Sequence, residues 1–360
     1  MTLSRITLLA TLLLAAPAAA QLQITPPATI PVPEKQKPKE PAKEKPKVAP
    51  HTIAKKKEPA PKPSASPSPT LPATVIPAPA PDNPNVDLVF GAYQRGQYKT
   101  AFDLATARAQ NGDAKAMTML GELYSNAMGI RRDYTKAVEW YKRASDAGDR
   151  EAMFALAMLR MAGRGGPVDK GEAVKLMASA AKLGEPKAAY NLALLYLDGQ
   201  TLPQDVKRSA ELLRQAADAG LPEAQYALAT FYKEGTGVPK DPERSVRLLQ
   251  AASLADNVDA EVEYAIAMFN GTGTPKNQPA AVALLRKAAR QGSAIAQNRL
   301  AWVLINGMGT SVDKIEGFKW HLVAKTSGKG DPELDKQLSD LPADDRAKAE
   351  AAAKKWLGEK

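Results

Sequence analysis

Cysteine is absent from this 360-residue chain, which removes disulfides, thiolate nucleophiles, a lipid-anchoring cysteine and Cys-ligated metal together. Imidazole is nearly as scarce, since His51 and His321 are the only two histidines, so no paired-histidine metal motif exists. No phosphate-cradling glycine loop and no Ser/His constellation occurs. Ser179-Ala-Ala-Lys182 and Ser311-Val-Asp-Lys314 carry the Ser-x-x-Lys element of penicillin-recognising chemistry, but the Ser-x-Asn and Lys-Thr-Gly elements it requires are missing. The expectation is a protein that is not an enzyme and holds no cofactor and no metal.

The start of the chain has the form of a secretory leader. Arg5 precedes a mostly apolar run from Ile6 to Ala16, with Ala18 and Ala20 at the small-residue positions before Gln21. That run falls short of the ~20 residues that span a bilayer. Cleavage after Ala20 is expected, giving an exported, periplasmic protein with no transmembrane segment; an uncleaved anchor is the alternative. Residues 21–85 hold 18 of the 29 prolines with ten Lys, four Glu and Asp82. Such a composition cannot bury enough apolar surface to offset chain entropy, and proline favours extended backbone. A disordered Pro/Lys/Ala-rich linker is expected there, either a solvated spacer or a contact to anionic envelope polymers. Of the formal charge of +10, one is Arg5 and a net five lie in this linker, leaving +4 for the rest. That is a poor electrostatic footprint for nucleic acid.

Beyond the linker, period dominates. Ala116, Ala152, Ala188, Ala224, Ala260 and Ala296 recur every 36 residues, as do Ala144, Ala180, Ala216, Ala252, Ala288 and Ala324. A repeat of this length marks stacked hairpins that bury apolar faces only against their neighbours. In each unit a first helix carries apolar residues at helical spacing, for instance Ala116, Leu120, Leu123 and Tyr124. A loop such as Gly163-Arg-Gly165, Gly235-Thr-Gly237, Gly271-Thr-Gly273 or Gly307-Met-Gly309 follows. The second helix starts at Asp133, Asp169, Asp205, Asp241, Asn277 or Asp313, all good N-cap acceptors. Glu172 and Glu316 sit where they would complete capping boxes. Gly148, Gly184, Gly220 and Gly292 end the second helix, and Asp256 breaks that series, predicting a looser turn there. The alanines are small because two helices approach closely at those points. Trp140, Leu176, Leu212, Leu248, Leu284 and Trp320 are expected to form a core ladder on the second helix.

The pattern Ala-x3-Leu-Ala/Gly-x-Leu-Tyr-x2-Gly-x-Gly-x3-Asp-x3-Ala-x2-Leu/Trp-x3-Ala-x3-Gly resembles Sel1-like repeats of the tetratricopeptide superfamily. Six full units fit from 113 to 328, and residues 86–112 resemble an ordinary tetratricopeptide-like hairpin, with Gly91-Ala-Tyr93 and Ala101. The resemblance implies an all-α fold: a right-handed α-solenoid of tandem helix-turn-helix repeats. Residues 329–360 read as a helical cap with Leu334, Leu338, Trp356 and Leu357 inward. It further implies an adaptor or regulator, and an inner groove lined mainly by the first helix of each unit.

The positions that vary on that helix are therefore the candidate binding residues. They are Phe154, Met158 and Met161, then Tyr190, Leu194 and Leu197, then Tyr226, Ile266, Phe269, Trp302 and Ile305. An apolar, aromatic groove of this kind suits a protein or peptide partner in the cell envelope; the same side chains would equally serve to pack adjacent helices. His321 occupies a position held by Tyr, Met or Leu in other units and is expected to be structural.

Overall fold

The computed structural model describes residues 87–358; the expected leader and linker lie outside the described residues. Within them the chain forms sixteen α-helices and no strand. Helices α1 (Leu88–Gln94) and α2 (Tyr98–Gln110) make a first hairpin. Six 36-residue units follow, each a helix A packed on a helix B. They are α3 (Ala114–Asn126) with α4 (Tyr134–Asp146), α5 (Arg150–Ala162) with α6 (Lys170–Lys182), and α7 (Pro186–Asp198) with α8 (Val206–Asp218). Next come α9 (Pro222–Glu234) with α10 (Pro242–Leu254), α11 (Val258–Asn270) with α12 (Gln278–Arg290), and α13 (Ala294–Asn306) with α14 (Lys314–Thr326). Two cap helices, α15 (Pro332–Ser339) and α16 (Ala343–Leu357), end the array. Each helix B also packs on the helix A that follows it, so the apolar core is continuous from unit to unit. No helix among the described residues is long and apolar enough to cross a membrane.

Turn chemistry fixes the hairpins. Every helix B opens on an Asp or Asn whose side chain accepts from the backbone N–H three residues on, as Asp205 does from Arg208 at 2.9 Å. The N–H of that same residue donates back to a carbonyl of helix A, Asp205 to Tyr196 at 3.0 Å and Asp313 to Leu304 at 2.9 Å. This second bond explains why the expected capping boxes are only half made. With the cap N–H already satisfied, the Glu172 carboxylate instead meets Arg160 at 3.0 Å, and that of Glu316 accepts from Trp320 Nε1 at 2.8 Å.

The turn at Asp256 is not looser. Asp256 adopts φ +58°, the left-handed state glycine takes in the other units, and the closing bond from Asn257 N to Ala252 O, 3.0 Å, is the one Asp149 makes to Ala144. Aspartate tolerates this conformation better than most residues, and here its carboxylate also gains Lys287 at 2.7 Å.

All twelve periodic alanines are at most 2% exposed. The expected ladder is less uniform: Leu212 and Trp320 are buried, while Trp140, Leu176, Leu248 and Leu284 are half-buried and packed against the core from its edge. Two of them, Leu176 and Leu248, each bridge successive core regions. Units are further locked by the second glycine of the loop. Gly165, Gly237, Gly273 and Gly309 lie against the backbone at the start of the preceding unit's helix B, at Tyr134, Val206, Pro242 and Gln278.

One buried charge interrupts this apolar scheme. Glu261 is fully buried on α11, with Lys287 Nζ at 2.6 Å and no other partner for either carboxylate oxygen. At the equivalent place in the flanking units stand Gln225 and Gln297, whose amides donate to the Ala217 and Ala289 carbonyls eight residues earlier, at 3.3 and 3.1 Å. Glu261→Gln restores that donor and removes a buried charge, so it is expected to leave stability unchanged or raise it by about 1 kcal/mol. Lys287→Met, which strands the carboxylate, is expected to lower the melting temperature. A fall with the glutamine variant as large as that with the methionine variant would contradict this account.

At the end of the array Leu334 and Leu338 are buried as expected, but Trp356 and Leu357 are 43% and 39% exposed. The inward positions of α16 are taken by Ala349 and Ala353, whose small side chains let α16 lie close along α14. Trp356, one turn further on, stacks edge-on to Trp320 with centroids 4.9 Å apart. His321 is fully buried, as a structural histidine should be, with Nε2 at 2.9 Å from Asp335 Oδ1. Lys325, 2.7 Å from the same oxygen, and His321 hold the Asp335 carboxyl below its usual range. A carboxylate depressed in the folded state adds stability that is present above the unfolded value, near pH 4, and lost as pH falls through the folded one. Docking of α15 should therefore weaken on acidification. Asp335→Asn should flatten the pH dependence of amide exchange in α15, and an unaltered profile would contradict the assignment.

Candidate partner-binding face

The candidate residues fall at three places in the repeat: two, six and nine residues after the fixed alanine. These offsets are one helical face. On helix A that face turns away from the core stripe, in which residues four and five after the alanine, such as Leu228 and Ala229, are 2% and 0% exposed. Phe154, Met158, Met161, Tyr190, Leu194, Leu197, Tyr226, Ile266, Phe269 and Trp302 are all half-buried. Ile305, at 6% exposure, belongs to the core.

The half-buried residues differ in how firmly they are engaged. Phe154, Met158, Met161, Tyr190 and Leu197 pack along the core of the second to fourth units, and Ile266 and Phe269 along that of the last two. Tyr226 packs on the core between α9 and α11. Leu194 packs against none of these cores. Trp302 is tied down, its Nε1 donating to Asp331 at 2.9 Å, and Asn298 beside it donates to the Lys329 carbonyl at 3.2 Å. The cap thus closes the face at its C-terminal end, and the open stretch runs from Phe154 to Ile266.

Acidic side chains accompany this stretch. Glu223, Glu234, Asp259 and Glu263 border the two tyrosines. Burial of its ring, then Asp259, Glu263 and Glu234, push the Tyr226 phenol up to about 12. Burial and then Glu223 raise that of Tyr190. Glu263 pairs with Lys233 at 2.7 Å, while Glu223, Glu234 and Asp259 form no ion pair among the described residues. Helical spacing held the signal: one residue before the alanine, and three and ten after it, share a face with offsets two and six.

No group of three His, Cys, Asp or Glu that could hold a metal occurs among the described residues. Ser179 and Ser311 are both exposed. The fold and face are those of a tandem-hairpin solenoid that presents a surface. The Sel1 repeat family matches residues 114–149, 150–185, 186–221, 222–257, 258–293 and 294–328, and the chain belongs to that family. Proteins of this family generally mediate protein–protein interaction. Among solved structures the chain is similar to a Sel1 repeat protein from Oxalobacter formigenes, 26% identical, covering 68% of this chain and all of that one, with a TM-score of 0.60. It is also similar to c5321, a protective antigen present in uropathogenic Escherichia coli strains, 22% identical, covering 72% of this chain and 64% of that one, TM-score 0.51. A search of curated proteins matched nothing.

Proposed function

We propose that this protein is a non-catalytic adaptor or regulator of the cell envelope, exported to the periplasm, that binds a protein or peptide through the helix A face between Phe154 and Ile266. The observation that carries this reading is the face itself. At offsets two and six, Phe154, Met158, Tyr190, Leu194, Tyr226 and Ile266 are half-buried and share one helical face, so they line up from unit to unit as an apolar row. Half-buried aromatic residues give a partner apolar area at little cost in side-chain entropy. A photo-crosslinking residue placed at Tyr226, and separately at the exposed Arg214 on helix B, tests it in intact cells. A discrete protein adduct at Tyr226 alone is expected. Equal smears at both positions would reject the groove.

The Lys-rich composition of residues 21–85 supports a second reading, attachment to anionic envelope polymer through that segment. Salt separates the two. Polybasic attachment weakens steeply from low to physiological ionic strength, whereas apolar docking does not.

A further inference from the structure

The occupant of the helix A face can be specified further, on the reading that this face docks a partner. Seven contacts between a Lys or Arg and an aromatic ring occur among the described residues, on Tyr124, Tyr134, Trp140, Tyr232, Trp320 and Trp356. None involves Phe154, Tyr190 or Tyr226. The Tyr190 and Tyr226 hydroxyls make no hydrogen bond within the described residues, though both rings pack on the core. Around them Glu223, Glu234 and Asp259 are exposed and lack a basic partner. Lys187 and Lys233 share this region, and Lys233 is engaged by Glu263. Carboxylates therefore outnumber cations on the open face of a repeat body whose sequence is net basic.

We infer that the face between α7 and α11 takes an extended peptide segment of another protein that carries an Arg or Lys beside aliphatic residues. The cation would lie over the Tyr190 and Tyr226 rings, within reach of Glu223, Glu234 and Asp259, and the aliphatic residues along Leu194 and Ile266. Aromatic rings and carboxylates both favour a cation, and together they exclude an acidic segment. The unoccupied hydroxyls supply acceptors for its N–H groups.

The test is selection of a randomised twelve-residue peptide library on the immobilised full-length protein. Three variants follow: Tyr226→Ala, the triple Glu223→Gln/Glu234→Gln/Asp259→Asn, and an outer-face control, Glu211→Gln. Peptides enriched in Arg or Lys next to Leu, Ile or Val are expected, with affinity falling about tenfold on the triple variant and unchanged on the control. The triple variant changes only exposed side chains, so an unaltered melting curve separates lost recognition from lost fold. Peptides that need Tyr226 but carry no cation, or that bind the triple variant equally well, overturn this inference and leave the docking face intact. Peptides that ignore Tyr226 overturn the docking face itself. A Tyr226 photo-adduct to residues 35–62 of the same polypeptide would show the chain's own lysines in that place and also overturn the inference.

Discussion

Gly273→Ala is expected to cost about 3 kcal/mol or more, and Gly220→Ala about 1 kcal/mol, although both glycines have left-handed backbones. Their φ values are similar, +68° and +85°, so the strain of placing an L side chain there is common to both. The surroundings differ. A Cβ at Gly220 meets nothing within 4 Å, while one at Gly273 runs into the Pro242 carbonyl and lies 3.1 Å from Glu243 N. Those atoms are backbone at the start of the preceding helix B and cannot rotate aside. The α10–α11 junction must open instead, and with it the region of the face that holds Tyr226. Urea titration of both variants measures the difference, and amide exchange locates it. Equal costs would mean that the loop glycine serves the turn alone and not the contact between units.

The repeat was legible because its cause is geometric. A helix that meets its neighbour at the same point in every unit needs the same small residue there, so Ala188 and Ala224 announce the packing before any coordinates are known. The Asp and Asn caps were equally legible, since a short acceptor before an apolar periodic run has few other meanings. What failed were inferences from one residue at a time. Asp256 looked like a defect because it is not glycine, yet hydrogen bonds on both sides hold it in the same conformation. Glu172 looked like a capping-box partner because of its spacing, but the bond from Asp169 N to Arg160 O had already taken the donor it needed. Trp356 looked inward because it is large and apolar, and the close approach of α16 to α14 favoured alanines instead. On the candidate face the apolar stripe was visible from residue type, whereas the border of carboxylates was not. Acidic residues on helix surfaces are the ordinary case, and only the geometry shows which of them lack a basic partner beside an empty aromatic ring.

The second large effect concerns the alanines themselves. Ala216→Leu is expected to destabilise the array by about 1–3 kcal/mol through overpacking. Ala216 is fully buried in a core shared by α8 and α9, with Ala188, Ala217 and Ala224 also at 0–4% exposure. Three extra carbons at a fully buried position must displace their neighbours, and the helices separate to admit them. Ala162→Leu is the matched control: Ala162 is exposed at the end of α5, and the change there should stay within about 0.5 kcal/mol. The consequence reaches further than the stability figure. A solenoid is held together by nearest-neighbour contacts, so weakening one junction allows the two sides to unfold separately. Trp140 reports on the first unit, Trp302 and Trp320 on the last, so variants retaining tryptophan at only one end can follow each side. In the parent protein the two reporters should share one urea transition; in Ala216→Leu they should part. Coincident transitions with a cost below 0.5 kcal/mol would show that the junction tolerates bulk and that the invariance of alanine there has another origin. If they part, Phe154 and Leu194 no longer hold a fixed distance from Tyr226 and Ile266. Affinity for any partner spanning both halves should then fall before either half unfolds, because an extended surface recognises a segment only while its units keep register.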